Sequence, residues 1–238
     1  MSVADTAVLL VCAGNATRMG GIHKILHPLG DTTVLEHSLR TFCQCESVSE
    51  LIVICRKQDT DAFQTILDAA ALSLPVTITH GGSTRQQSVI NGFACLSAKA
   101  EYLAVHDGAR PLVTAAEVQQ VIHDAHVFGA ATLGVPVKDT IKLVEDGLIT
   151  DTPPRANLYL TQTPQVFRRS LYEQAMAFAD AHKLDMTDDC QLLEAINLKV
   201  AMTIGSYTNI KLTTPEDFAI AEALLAERSA NKEATNHG

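Results

Sequence analysis

Seven charged residues stand in or beside the loops where strands are expected to end: Arg18, Lys24, Arg85, Asp107, Arg110, Arg155 and Lys211. Six are cations, drawn from eighteen Lys plus Arg in a chain whose formal net charge is −9. Cations brought to one edge repel each other unless an anion lies among them. Polyphosphate is that anion, and Asp107, the lone acid, suits a divalent cation that takes one or two carboxylates together with phosphate oxygens. Each also has an ordinary reading: Arg85 or Arg110 as a surface ion-pair former, Asp107 as a turn residue before Gly108, Lys211 as a solvated side chain on an edge strand. One shared ligand accounts for all seven at once.

The element that must hold the first of them is the stretch Ala7 to Lys24, AVLLVCAGNATRMGGIHK. An unbroken apolar run closed by Ala13-Gly14 reads as a buried first strand of a parallel sheet, with a loop at its carboxyl end, where ligands sit in open α/β sheets. Small residues let the backbone approach an anion and offer it amide N–H groups, while Arg18 and Lys24 neutralise phosphate charge. On this stretch alone, a nucleoside triphosphate cradle and a plain strand-to-loop connection with two solvated cations both stand. G-x-x-x-x-G-K-[ST] is missing, since Asn15, Ala16, Thr17, Arg18 and Met19 follow Gly14, and G-x-G-x-x-G fails because Ala16 stands where a second glycine would be.

Beyond the loop the pattern alternates. Helical spacing through Cys43, a β-branched run Leu51 to Cys55, a helix Asp59 to Ala70, a strand Val76 to Thr79, a helix from about Thr84 to Leu96 and a strand Tyr102 to Val105 follow in turn. Strand–helix alternation predicts an α/β, doubly wound, mostly parallel sheet, and brings three polar or glycine-rich strand ends to one edge. A helix Thr114 to Phe128 and an apolar segment Ala130 to Val137 come next. Then Asp139 to Val144 and Leu148 to Thr152 alternate on either side of Glu145-Asp146-Gly147, a hairpin signal, and predict a projecting β-arm over about residues 138–156, too small to carry its own core. Its expected partner is a second copy of the chain. An extended Tyr159 to Phe167, two helices, a strand Val200 to Ile204, a short strand Asn209 to Leu212 and a last helix opened by Thr214-Pro215 complete the order. The expected organisation is one domain over residues 1–228 and a frayed polar tail over 229–238.

Composition limits the partners. With 47% hydrophobic and 19% charged residues the chain is ordinary for a globular protein, and its acidic balance argues against nucleic-acid or anionic-membrane binding. Six cysteines without a C-x-x-C pair fit reduced, packed thiols of the cytoplasm rather than a disulfide framework or zinc site. No basic region precedes the first apolar run, so no signal peptide is expected, and no apolar segment approaches the length of a membrane span. His123 and His126 share a helix face without a nearby acid or thiol pattern, His106 reads as packing, and no G-x-S-x-G elbow occurs.

With these residues in place, the sequence resembles the 2-C-methyl-D-erythritol 4-phosphate cytidylyltransferases of isoprenoid precursor synthesis. The likeness runs through A-G-x-x-x-R-M with a following lysine (Ala13 to Lys24), G-G-x-x-R-x-x-S-V (Gly81 to Val89), H-D-x-A-R-P (His106 to Pro111) and P-V-x-D-T-I-K (Pro136 to Lys142). It continues through R-x-x-L-Y-x-x-Q-T-P-Q (Arg155 to Gln165), T-D-D (Thr187 to Asp189) and N-I-K-x-T-x-P-E-D (Asn209 to Asp217). The resemblance implies a Rossmann-like nucleotidyltransferase in which a methylerythritol phosphate oxygen attacks the α-phosphorus of CTP and expels pyrophosphate. Carried to matching positions, Arg18, Lys24 and Lys211 would stabilise the pentavalent phosphorus, and Asp107 would ligate Mg²⁺ on the triphosphate. Cys12, Ala13, Gly14, Asn15, Ala16 and Thr17, with Gly82, Arg85 and Ser88, would hold the nucleotide. Arg110, Thr187 and Thr213 would line the polyol phosphate pocket, and Thr140 and Arg155, at the two ends of the arm, would reach into the partner's site of a homodimer. Ala16 for a common glycine, His23 for proline and Ile25 for glutamine depart from the family pattern, and the Ala16 methyl is expected to crowd the triphosphate loop and weaken CTP binding. Ribitol 5-phosphate cytidylyltransferase, with a similar cradle, and a nucleotide-binding dimer without catalysis are the rival readings.

Overall fold

The computed structural model describes residues 4–14 and 23–236. Strand β1 (Thr6–Val11) is the buried run expected from the sequence, and its register explains why that run is unbroken. Val8 and Leu10 point into one core with Leu51, Val53 and Ala104, while Ala7 and Leu9 point into a second with Ile52, Ile54 and Leu103. A strand covered on both faces has no solvent side on which to place polar residues.

A two-residue pair β2 (Pro28–Leu29) and β3 (Thr32–Thr33) leads into α1 (Val34–Cys43), capped by Thr33, whose Oγ1 accepts from Glu36 N. Then come β4 (Val48–Cys55), α2 (Thr60–Ala70), β5 (Val76–His80), α3 (Arg85–Phe93), β6 (Tyr102–Asp107), α4 (Ala115–Phe128) and β7 (Ala130–Pro136). Thr114 and Glu117 form a reciprocal capping box at the start of α4. The arm is β8 (Leu143–Glu145) and β9 (Leu148–Asp151), after which β10 (Tyr159–Arg168), α5 (Arg169–His182), α6 (Cys190–Ala195), β11 (Ala201–Ile204) and α7 (Pro215–Asn236) close the chain.

The main sheet has seven strands in the order β11-β7-β10-β6-β1-β4-β5. All neighbours are parallel except β10, which runs antiparallel between β6 and β7. The chain winds from β1 outward to β4 and β5, then returns to β6 on the other side. That reversal places a crevice at the carboxyl ends of β1, β4 and β6.

Three expectations are corrected. Asn209 to Leu212 is not a strand: Leu212 N–H bonds Ala109 O at 2.8 Å and the Asn209 side chain bonds Thr163 O, so the segment is irregular and anchored by distant partners. The arm's ladder is shorter than residues 139–152, pairing Leu143 with Asp151 and Glu145 with Leu148 around Asp146 (φ 52°) and Gly147 (φ 80°), two positive φ values of a hairpin turn. The last helix does not stop at Arg228, because α7 continues to Asn236. Among the described residues, no helix is long and apolar enough to cross a membrane.

The thiols bear a direct test of this packing. Cys12, Cys45, Cys55 and Cys190 are buried and unpaired, and burial raises all four, Cys45 to about 12. Since the thiolate is the reactive form, Ellman's reagent at pH 8 is expected to titrate no more than Cys43 and Cys95 in the native protein and all six in denaturant. Four or more native equivalents would contradict the packing.

Candidate active site

A cleft of about 560 Å³ opens at the carboxyl edge of β1, β4 and β6. Its floor is built by close approach of four strand ends, those of β1, β4, β5 and β6. Cys12 N–H bonds Ile54 O at 2.8 Å, Gly81 N–H bonds Cys55 O at 2.9 Å, and Gly108 N–H bonds Val11 O at 3.0 Å. A Cβ on Gly81 would stand 2.4 Å from the Ala13 Cβ, and one on Gly108 would stand 2.4 Å from the Cys12 sulfur. Glycine is therefore required at both places for the loops to meet.

Asp107 ends β6 with its side chain 13% exposed. Lys211 Nζ lies 2.7 Å from Oδ2, Arg110 Nε 3.9 Å from the same oxygen, and an Arg85 guanidinium nitrogen 3.9 Å from Oδ1. Burial works against the charged carboxylate, but Lys211, Arg85 and Arg110 outweigh it and hold Asp107 below its ordinary range. Lys24, on the cleft wall, donates from Nζ to Leu212 O at 3.1 Å, beside Lys211.

Buried polar groups hold this cluster. Thr163 Oγ1 accepts the Asp107 N–H at 3.0 Å, so its own hydrogen goes to His106 Nδ1 at 3.1 Å. His106 then donates from Nε2 to Arg110 O, a neutral ring that burial pushes down to about 4. The expectation that His106 packs is met, with Phe42 edge-on at 5.0 Å. The fully buried Asn209 side chain donates to Thr163 O and Gln162 Oε1, and the Asn209 backbone carbonyl accepts from Arg110 at 2.7 Å. These bonds bind the loop carrying Lys211 to β6 and β10.

The structure thus gathers Lys24, Arg85, Asp107, Arg110 and Lys211, with Cys12, Ala13, Gly14, Gly82 and Ser88 on the same cleft. Arg18, Asn15, Ala16 and Thr17 lie outside the described residues. Sequence reasoning missed three groups. Arg56 and Lys57 line the cleft just past β4, a strand end on the very edge where the other cations were sought. Asp189, only 3% exposed, holds Arg85 at 2.7 Å and accepts from Tyr172 OH at 2.6 Å; the T-D-D motif was the signal that could have found it.

The description "IspD: 2-C-methyl-D-erythritol 4-phosphate cytidylyltransferase" belongs to the family model that matches residues 6–227. The chain belongs to this family. It is 40% identical over 224 residues to the 2-C-methyl-D-erythritol 4-phosphate cytidylyltransferase of Caldanaerobacter subterraneus subsp. tengcongensis, covering 93% of this chain and 99% of that one. The enzyme of that name from Syntrophotalea carbinolica is 42% identical over 221 residues, covering 92% and 95%. The structure of 4-diphosphocytidyl-2C-methyl-D-erythritol synthase from Anaerococcus prevotii superposes with a TM-score of 0.83 at 30% identity, over 93% of this chain and 98% of that one. The fold is accordingly the Rossmann-like α/β fold of a nucleotidyltransferase.

Within the cytidylyltransferase frame, four residues carried over by resemblance stand off the cleft of the single chain. Thr140 and Arg155 are exposed at the two ends of the arm, Arg155 donating to Lys138 O at 2.6 Å. Thr187 is exposed, its N–H held by Gln191 Oε1. Thr213 is committed to the start of α7, where its N–H and hydroxyl both donate to Asp217 Oδ2 at 2.6 and 2.9 Å. Ser88 is also engaged, donating to Thr84 O and accepting from Gly82 N–H at 3.0 Å, so its first task is to shape the Gly82 turn.

Proposed function

We propose that this chain transfers a cytidylyl group from CTP to 2-C-methyl-D-erythritol 4-phosphate and releases pyrophosphate, a step of isoprenoid precursor synthesis. The observation that carries the reading is the ring of Lys211, Arg85 and Arg110 around one carboxylate, with Lys24 on the same cleft wall. A nucleophilic oxygen of the methylerythritol phosphate bonds to the α-phosphorus, and the bond from that phosphorus to the pyrophosphate oxygen breaks. The attacking phosphate is ionised near neutral pH, so no general base is needed. Lys24 and Lys211 meet the charge that builds on the phosphoryl oxygens, a stabilisation that is strongest in a water-poor cleft. Arg18 is assigned the same work by its place in the motif. Ala13, Gly14 and Gly82 offer backbone groups to the nucleotide, and Arg85, steadied by Asp189, offers a fixed guanidinium.

Magnesium fits here as a partner of the triphosphate. Among the described residues no group of three or more His, Cys, Asp or Glu could hold an ion, whereas a single carboxylate plus phosphate oxygens suits Mg²⁺. Asp107 would hold it, and Lys211 would yield the shared Oδ2. When bound, the ion would neutralise triphosphate charge. A homodimer is supported by the arm, which exposes Leu143, Val144, Leu148 and Ile149, the last two at 72% and 65%. Across such an interface Thr140 and Arg155 would supply the partner's acceptor pocket, alongside Arg110, Thr187 and Thr213. A cytoplasmic setting is supported by six unpaired thiols.

Purified chain incubated with CTP, Mg²⁺ and either 2-C-methyl-D-erythritol 4-phosphate or ribitol 5-phosphate is expected to release pyrophosphate with the first acceptor only. Release with ribitol 5-phosphate alone would transfer the chain to the rival chemistry. Release with neither would leave a binding module.

A further inference from the structure

A cluster outside the groups assigned above also reaches the cleft. His23 Nε2 lies 2.9 Å from Asp59 Oδ2, with both side chains largely buried. Arg56 grips the same carboxylate, Nε at 2.5 Å from Oδ2 and a terminal nitrogen at 3.1 Å from Oδ1, while its guanidinium-bearing side chain lines the cleft. Because a carboxylate only accepts, the bond to Asp59 needs the ring hydrogen on Nε2, and among the described residues the buried His23 Nδ1 has no partner. The ring edge also meets Phe63 of α2 at 5.9 Å. Burial disfavours the Asp59 carboxylate, yet the bonds from Arg56 and His23 hold it below its ordinary range. The backbone passes from His23 straight into Lys24, and the turn is closed by Leu26 N–H on His23 O at 3.0 Å.

We propose that His23 is a positioning residue: through Asp59 it fastens the backbone entering Lys24 to the β4–α2 connection, and so sets Lys24 and Arg56 on the walls of one nucleotide cleft. One carboxylate thereby fixes two cations that the sequence separates by thirty-two positions. Without the clasp both remain present but lose their set distance, which weakens triphosphate binding and also slows the step that Lys24 assists. The inference rests on reading the cleft as the CTP site.

The test compares His23→Phe, which keeps a ring against Phe63 but loses the donor, with His23→Gln, whose amide N–H can still donate to Asp59. His23→Phe is expected to raise KM for CTP about five- to tenfold and to lower kcat by about the same factor, since the displaced Lys24 serves both binding and the chemical step. His23→Gln should restore KM to within about twofold, and adding Asp59→Asn to His23→Phe should cost far less than the product of the two single effects. If His23→Phe does not fold, Asp59→Asn alone carries the same expectation for KM. An unchanged KM, or equal damage from Phe and Gln, would overturn the positioning role. A wild-type chain that turns over no CTP would instead overturn the function reading, and this inference with it.

Discussion

Lys211→Ala is expected to lower kcat about 10²- to 10³-fold, the scale seen when one preorganised charge partner of a transition state is removed. Its ammonium lies 2.7 Å from Asp107, and the carbonyl of the next residue, Leu212, tethers Lys24, so in the proposed reaction both ammonium groups would meet the phosphates together. Folding should survive the change. The side chain is 43% exposed, and after its loss Asp107 still faces Arg85 and Arg110, each at 3.9 Å. Lys211→Arg should recover only part of the rate, because a planar fork on a longer reach replaces a compact point charge. Pyrophosphate release under saturating substrates measures the effect, with the melting temperature as the control for folding. A kcat within about threefold of the unaltered chain would remove Lys211 from the chemistry.

The frame around that lysine was readable because it follows from local pattern. A strand buried on both faces must be continuously apolar, as Ala7 to Val11 is, and alternation of strands with helices commits the strand ends to one edge. The arm was equally plain, since Asp146-Gly147 supplies the two positive φ values its turn requires. What escaped were placements made by contacts between distant residues. Arg56 and Lys57 ride a 3₁₀ turn whose aim is set by Asp59 and, through it, by His23. Asp189 is tied to Tyr172, on a different helix, and to Arg85 across the cleft. Asn209 to Leu212 alternates polar and apolar residues, which suggests a strand, but the carbonyl of Ala109 and the fully buried Asn209 amide impose an irregular path. Thr213 shows the converse: a motif match marks its position, while its hydroxyl spends its hydrogen on the helix start.

The arm leads to the second large effect, a recovery of activity from two inactive chains. Leu143, Val144, Leu148 and Ile149 are exposed on a hairpin with no core of its own, and an isolated hairpin is marginal in water. If a second copy covers it, Arg155, exposed beyond β9, faces the neighbouring cleft rather than its own. Lys24→Ala chains then lack the cleft lysine, and Arg155→Ala chains lack the residue offered across the interface, so each homodimer has two damaged sites. In the mixed dimer both lesions fall on one site, and the other combines an intact Lys24 with an intact Arg155. Random exchange in an equal mixture makes half the dimers mixed, so activity should climb to about a quarter of the unaltered level. Pyrophosphate release before and after subunit exchange, with exchange verified by mass-tagged chains, measures it. A mixture that stays inactive despite complete exchange would confine Arg155 to its own subunit.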